Sequence, residues 1–205
     1  MRHVFGRCSL AGVGARGLAT SILLVLASPA LAHEGAGVAG GLLAGFMHPI
    51  LGWDHVAAMV AVGLWGAVLG APAIWLLPIV FPLVMALGGA IAVAGVPLPG
   101  VETGIAASAV VLGIVVALGT RPPIWIAAWI VGAFAIFHGH AHGTELPAAA
   151  DAVSYAIGFV VGTGILHAIG ITLGLATKWD LGKVAVRAVG GAIAVAGLAF
   201  LTGYA

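Results

Sequence analysis

The chain is a series of long apolar runs separated by short breaks. Six runs occupy about 49–70, 74–96, 103–119, 123–141, 152–176 and 184–204. Most approach the roughly 20 residues a helix needs to cross a hydrocarbon core. The run 103–119 is short and has to stand upright or thin the bilayer. The breaks carry Ala71-Pro72, Val96-Pro97-Leu98-Pro99-Gly100, Arg121-Pro122-Pro123, Leu146-Pro147 and Lys178-Trp179-Asp180, the residues that interrupt helices. Pro78 and Pro82 lie inside the second run and predict a kink there. A shorter apolar piece, 37–47, precedes the first run. It predicts a half-helix dipping into the membrane or an outward extension of the first helix, with Pro49 placing a break at His48.

Composition settles what solvates these runs. Of 205 residues, 62% are hydrophobic and only 6% charged, against roughly a quarter charged in soluble domains. Lipid is therefore the expected solvent. The 33 glycines suit helices that approach closely in a membrane. The expected fold is all-α: one polytopic bundle of about six transmembrane helices plus a short N-terminal half-helix, over residues 33–205. Gly88-Gly89-Ala90-Ile91-Ala92-Val93-Ala94-Gly95 recurs identically at 190–197, and both copies read as helix-packing faces. A net charge of +1 without a basic stripe excludes a nucleic-acid binder. The bilayer is the expected partner, and homo-oligomerisation is left open.

Residues 1–32 read as a cleavable signal peptide. Arg2, Arg7 and Arg16 precede a short apolar stretch, 18–27, and Ala30-Leu31-Ala32 forms a small-residue cleavage pattern. The alternative is an uncleaved first membrane helix. Cleavage after Ala32 makes His33 the terminus, with an α-amine and an imidazole together able to chelate a metal. It also removes Cys8, the one cysteine, which excludes disulfides and thiolate sites. With the mature N-terminus outside, Arg121, Lys178, Lys183 and Arg187 all fall on the inner side. Glu102, Glu145 and Asp151 fall on the outer side. This is the positive-inside pattern, with both termini periplasmic in a bacterial inner membrane.

Histidine carries the candidate chemistry. One cluster is His48-Pro49-Ile50-Leu51-Gly52-Trp53-Asp54-His55, and a second is Phe137-His138-Gly139-His140-Ala141-His142-Gly143-Thr144-Glu145. His167 stands alone in a later run. Ionisable groups at membrane depth are costly and mark ion or substrate paths. Imidazole and carboxylate suit divalent nickel or cobalt without sulfur. On a straight helix His48 and His55 lie about 10.5 Å apart, too far to share an ion. They converge only if the segment before the first helix folds back. His138 and His142, four residues apart, share a helix face, while His140 points elsewhere. Both clusters belong to the outer end, and His167 lies deeper. The bland readings are a helix-capping His48 with a self-satisfied Asp54/His55 pair, adventitious metal binding in the second cluster, and interhelical hydrogen bonding by His167. Thr163 and Thr172 read as bonded back to their own helix. Trp53, Trp125 and Trp179 read as interface anchors.

His48-Pro-x-x-Gly52-x-Asp54-His55 resembles the first signature of the HupE/UreJ family, and Ala58-Met59-x-Ala61-Val62-Gly63 continues the likeness. Phe137-His138-Gly139-x-Ala141-His142-Gly143-x-Glu145 resembles its second signature, and Leu166-His167-Ala168-x-Gly170 a third. The resemblance implies a permease for nickel, or nickel and cobalt, that supplies hydrogenase or urease maturation. His48, Asp54 and His55, then His138, His142 and Glu145, would be its required positions. The metal would be cargo, with no resident cofactor and no enzymatic activity. No Walker lysine motif is present to couple transport to nucleotide hydrolysis. Two other classes remain open: an intramembrane metal-dependent hydrolase, and a metal sensor or chaperone without transport. A hydrolase needs one tight three-ligand site with a lateral opening. A transporter needs a polar path to the far face.

Overall fold

The computed structural model describes residues 38–145 and 151–203. The expected signal peptide, His33 and the Leu146-Pro147 break lie outside the described residues. Seven α-helices follow in order: α1 (Val38–Leu51), α2 (Trp53–Leu69), α3 (Ala73–Val93), α4 (Val101–Leu118), α5 (Ile124–Thr144), α6 (Ala152–Gly174) and α7 (Asp180–Thr202). A single 3-10 turn, Leu175–Lys178, joins the last two. No strand occurs among the described residues.

Five helices, α3 to α7, are long and apolar enough to cross a membrane, and α1 and α2, bent by 80° at their junction, are so only as a pair, in the manner of a broken span or a re-entrant loop. The expected half-helix is α1, a separate helix before α2. It does not break at His48, as Pro49 had suggested. Pro49 sits inside the last turn of α1, and the bend of 80° falls at Gly52. Pro49 forgoes the N–H bond to the preceding turn, yet the helix continues through it to Leu51. The peptide beyond Leu51 is what leaves the helix: Gly52 is extended, at φ −89° and ψ 111°. Pro78 and Pro82 do not end α3, which runs on to Val93.

Glycine sets how the helices pair. Cβ atoms at Gly139 and Gly143 of α5 would strike Met85 and Gly89 of α3, so these two helices run parallel in contact. In the same way Gly63 of α2 stands against His167 and Gly170 of α6, and Gly113 of α4 against Gly190 and Ala194 of α7. Both copies of the repeated octapeptide are packing faces: Gly88 meets α5, and Gly190 and Gly197 meet α4. The centre is filled by Met59, Leu64, Trp65, Leu77, Phe81, Leu112, Val116 and Val131, all fully buried. The periphery exposes Leu83, Leu87, Trp129, Ile157, Val161 and Ile165. An apolar belt of this extent needs lipid around it. The chain is a multi-pass membrane protein. Trp53, Trp125 and Trp179 are exposed, as interface anchors are.

Charge divides the ends of the bundle. At the end where α2 begins and α5 stops lie Glu102, Glu145 and Asp151. Asp151 caps α6: its carboxylate accepts from the backbone N–H and hydroxyl of Ser154, which hold it below the usual carboxylate range. At the other end Arg187 donates Nε to the Ala117 carbonyl at 2.7 Å, and Lys183 pairs with Asp180 at 2.8 Å.

Candidate metal site

The bend at Gly52 builds the site. It turns α1 back over the start of α2, so the His48 and His55 rings lie 6.4 Å apart between centroids. Gly52 is needed for space: a Cβ there would stand 3.0 Å from both Asp54 Oδ1 and His55 Nδ1. Asp54 Oδ1 accepts from His55 twice, from the backbone N–H and from ring Nδ1, each at 2.8 Å. The carboxylate thereby fixes the ring and leaves Nε2 as the free lone pair. This is how carboxylates orient metal-binding imidazoles.

The last turns of α5 supply two more histidines. His138 is fully buried, and its Nε2 lies 2.9 Å from Ser108 Oγ on α4. The Ser108 hydroxyl donates its one proton to the Ile105 carbonyl at 2.6 Å. It must therefore accept from His138 Nε2–H, which leaves Nδ1 as the ligating atom. His142, four residues on, is buried with both ring nitrogens unpartnered. One nitrogen each from His55, His138 and His142 fall within 4.8 Å of one another. His55 Nε2 and His138 Nδ1 have no hydrogen-bond partner either. Buried polar atoms left so cost about 1–3 kcal/mol each. Three converging on one point are the donor set of a divalent transition metal.

A second group overlaps the first. His48, His142 and Glu145 also bring ligand atoms within 4.8 Å of one another, and His48 Nε2 stands 3.1 Å from Glu145 Oε2. This group is more open, and a cavity of about 320 Å³ lined by His48, Gly52, Asp54, His55, Glu102 and Glu145 leads from it to the acidic end of the bundle. His142 belongs to both groups, its ring 4.8 Å from His48 and 4.7 Å from His55.

Of the residues expected from sequence, His48, Asp54, His55, His138, His142 and Glu145 come together here, with Asp54 orienting His55. His140 turns away, its Nε2 2.9 Å from the Val96 carbonyl. His167 lies outside both groups; the Phe81 ring packs against it at 5.6 Å between centroids and against His138 at 5.4 Å. Sequence reasoning missed Ser108 and Glu102 as parts of the site. A hydroxyl in the middle of the apolar run 103–119 was the available signal for Ser108. It also misread Thr163. Thr172 does bond back, to Ala168 at 2.8 Å, but Thr163 Oγ1 is buried without any partner.

A separate apolar cleft of about 240 Å³ opens between α3 and α6 and reaches His142 from the side, past Pro82, Met85, Tyr155 and Phe159. Towards the basic end, Leu64, Trp65, Leu77, Leu112 and Val116 pack solidly.

The family model described as HupE / UreJ protein matches residues 21–200. The chain is 46% identical over 185 residues to Protein HupE of Rhizobium leguminosarum bv. viciae, covering 90% of this chain and 97% of that one. No solved structure matches. On that match over most of its length and that identity, the chain belongs to the HupE/UreJ family.

Proposed function

We propose that the protein is an inner-membrane permease for divalent nickel, with cobalt as the competing cargo, moving the ion from periplasm to cytoplasm for metalloenzyme maturation. The observation that carries this reading is the chain of two ligand groups linked through His142. A partly open His48/Glu145 group receives the ion from the 320 Å³ vestibule, and the buried His55/His138/His142 group takes it next. Neighbouring sites that share a ligand allow stepwise exchange without a fully dehydrated intermediate. The division of charge supports the orientation: acids at the vestibule end face the periplasm, and Arg121, Lys178, Lys183 and Arg187 face the cytoplasm. The packed core beneath fits an outward-facing state in this reading, and transport would then require helix movement around the site. Proton coupling is compatible with it, because metal entry competes with protons for imidazole.

The test is radiolabelled nickel accumulation in cells expressing the wild type, Asp54→Ala or an empty vector at matched membrane levels. Uptake above vector at submicromolar nickel, abolished by Asp54→Ala, is expected. Wild-type uptake equal to vector for both nickel and cobalt sinks the permease reading.

One observation favours a second reading. Three buried histidines in a tight group, with an apolar cleft entering from the bilayer side, meet the requirements of an intramembrane metal-dependent hydrolase. Its ion would be retained and its substrate an amphiphile. Ion release decides between the two: a permease exchanges its nickel on the timescale of uptake, whereas a hydrolase keeps its metal through purification and cleaves a fluorogenic acyl amide.

A further inference from the structure

Helices α3 and α6 are neighbours that do not lock together. The glycines of α3 are pressed against α5: Cβ atoms at Gly88 and Gly89 would meet Ile136 and Gly139. Those of α6 are pressed against α1 and α2: Gly158 meets Leu42, and Gly170 meets Val60. No glycine of α3 or α6 is pressed against the other of the two among the described residues. Between them lies the apolar cleft of about 240 Å³. Small side chains hollow it out, Ala86 on α3 and Ala156 on α6, while the buried Met85 and Phe159 line it more deeply. Its α3 wall runs from Pro82 to Val93, about 16 Å along the helix axis. The cleft is therefore long and narrow, and it lies along the helices of the membrane-spanning bundle.

Two observations name its occupant. The first is continuity with the lipid-facing belt. Val160 both lines the cleft and is half exposed, and Leu87 and Ile157, next in sequence to Ala86 and Ala156, are exposed on the same helices. The cleft thus opens where hydrocarbon is the solvent. The second is polarity. Tyr155 and His142 are the two lining residues with polar side-chain atoms, and both keep those atoms buried. Water needs several polar partners to stay in a cavity, so an apolar one stays dry. An empty space of this size forfeits the dispersion contacts of its walls. We propose that the cleft is the binding site of one acyl chain of a bilayer phospholipid, which closes the side of the three-histidine group.

The chain covers the His142 ring, whose nitrogens belong to the ligand groups and whose carbon edge lines the cleft. It also fills the seam between two tightly packed sets of helices, α3 with α5 and α6 with α1 and α2. Packed side chains have few alternative arrangements, whereas an acyl chain yields when its walls move. The site does not depend on the permease reading. It differs from the hydrolase reading in that the chain is held and not cleaved.

The experiment reconstitutes the full-length protein in palmitoyl-oleoyl phosphatidylcholine vesicles containing a phosphatidylcholine with a diazirine in one acyl chain. Illumination labels the residues that the chain touches, and peptide mass spectrometry locates them. Leu83, exposed on the open belt of α3, reports bulk lipid, whereas Met85 and Phe159 are buried and report only a chain inside the cleft. The wild type is expected to be labelled at all three. Ala86→Phe and Ala156→Phe each put a ring into the cleft, and each is expected to lose the label at Met85 and Phe159 and keep it at Leu83. Lipid extracted after incubation with the nickel-loaded wild type is expected intact. The proposal is overturned if Leu83 alone is labelled in the wild type, as when a second copy or close contact of α3 and α6 keeps lipid out. It is also overturned if both folded variants keep the label at Met85 and Phe159, or if the probe is recovered hydrolysed, which makes the chain a substrate. A thermal melt identifies a variant that does not fold, and the wild-type pattern then decides alone. Nickel uptake enters none of these readouts, so a failure of the permease reading leaves the lipid site standing.

Discussion

Glu145, at the end of α5, places its carboxylate oxygen 3.1 Å from His48 Nε2, in the last turn of α1. This contact joins the two signatures. It spans the mouth of the vestibule, where Glu145 is half exposed and His48 is 30% exposed. A pair this open contributes little to folding, and in the proposed permease it serves ligand exchange. Glu145→Gln keeps the shape and removes the charge. It is expected to raise the half-saturating nickel concentration by about tenfold, with little change in melting temperature. Uptake titration and a thermal melt in detergent check the two halves separately.

Ser108 is outside the three-histidine group and acts on it through His138. It accepts the His138 Nε2 proton and so turns Nδ1 towards the other two histidines. Ser108→Ala leaves that proton without a partner and releases the tautomer. Nickel affinity is expected to fall about 10- to 100-fold, the usual effect of losing a group that orients a metal-binding imidazole. Isothermal titration on the purified protein measures it, and unchanged affinity would refute the assignment of Nδ1.

Gly52 is held by space, not by backbone conformation, since its φ is −89°. A methyl group 3.0 Å from Asp54 Oδ1 and His55 Nδ1 pushes apart the pair that orients His55. Gly52→Ala is expected to lower nickel affinity nearly as much as Asp54→Ala. Gly164→Ala is the control, because nothing lies within 4 Å of a Cβ there. It is expected to leave binding and uptake unchanged.

Gly139 separates two histidines of the second signature, yet its role is packing. A Cβ on it would collide with the Met85 carbonyl of α3. Gly139→Ala is expected to cost about 1–3 kcal/mol, as overpacking does, and to lower the melting temperature before nickel binding is considered. Equal melting temperatures for wild type and variant would show that α3 and α5 are less tightly joined than described.

Much of the architecture was legible in the chain itself. Runs of about 20 apolar residues, with so few charges, leave only membrane-spanning helices. The i, i+4 spacing of His138 and His142 announced a shared face, and His140 was correctly set aside. The charge pattern along the breaks matches the two ends of the bundle. These are local properties, decided by residue type and by the fixed periodicity of the α-helix.

The meeting of the two signatures was not legible, because it depends on how the helices are folded against one another. Sequence placed the break at Pro49, the strongest local helix breaker. Tertiary packing put it at Gly52, the one position where a missing Cβ makes room for Asp54 and His55. Only that bend brings His48 within reach of His142 and Glu145. Ser108 and Thr163 carry no sequence signal that separates one from the other, for each is a small hydroxyl residue inside an apolar run. Packing gave Ser108 a histidine and left Thr163 with none. Hydrogen-bond satisfaction is set by what the neighbouring helices present. It is therefore a property of the assembled bundle, whereas the helices themselves are a property of the chain.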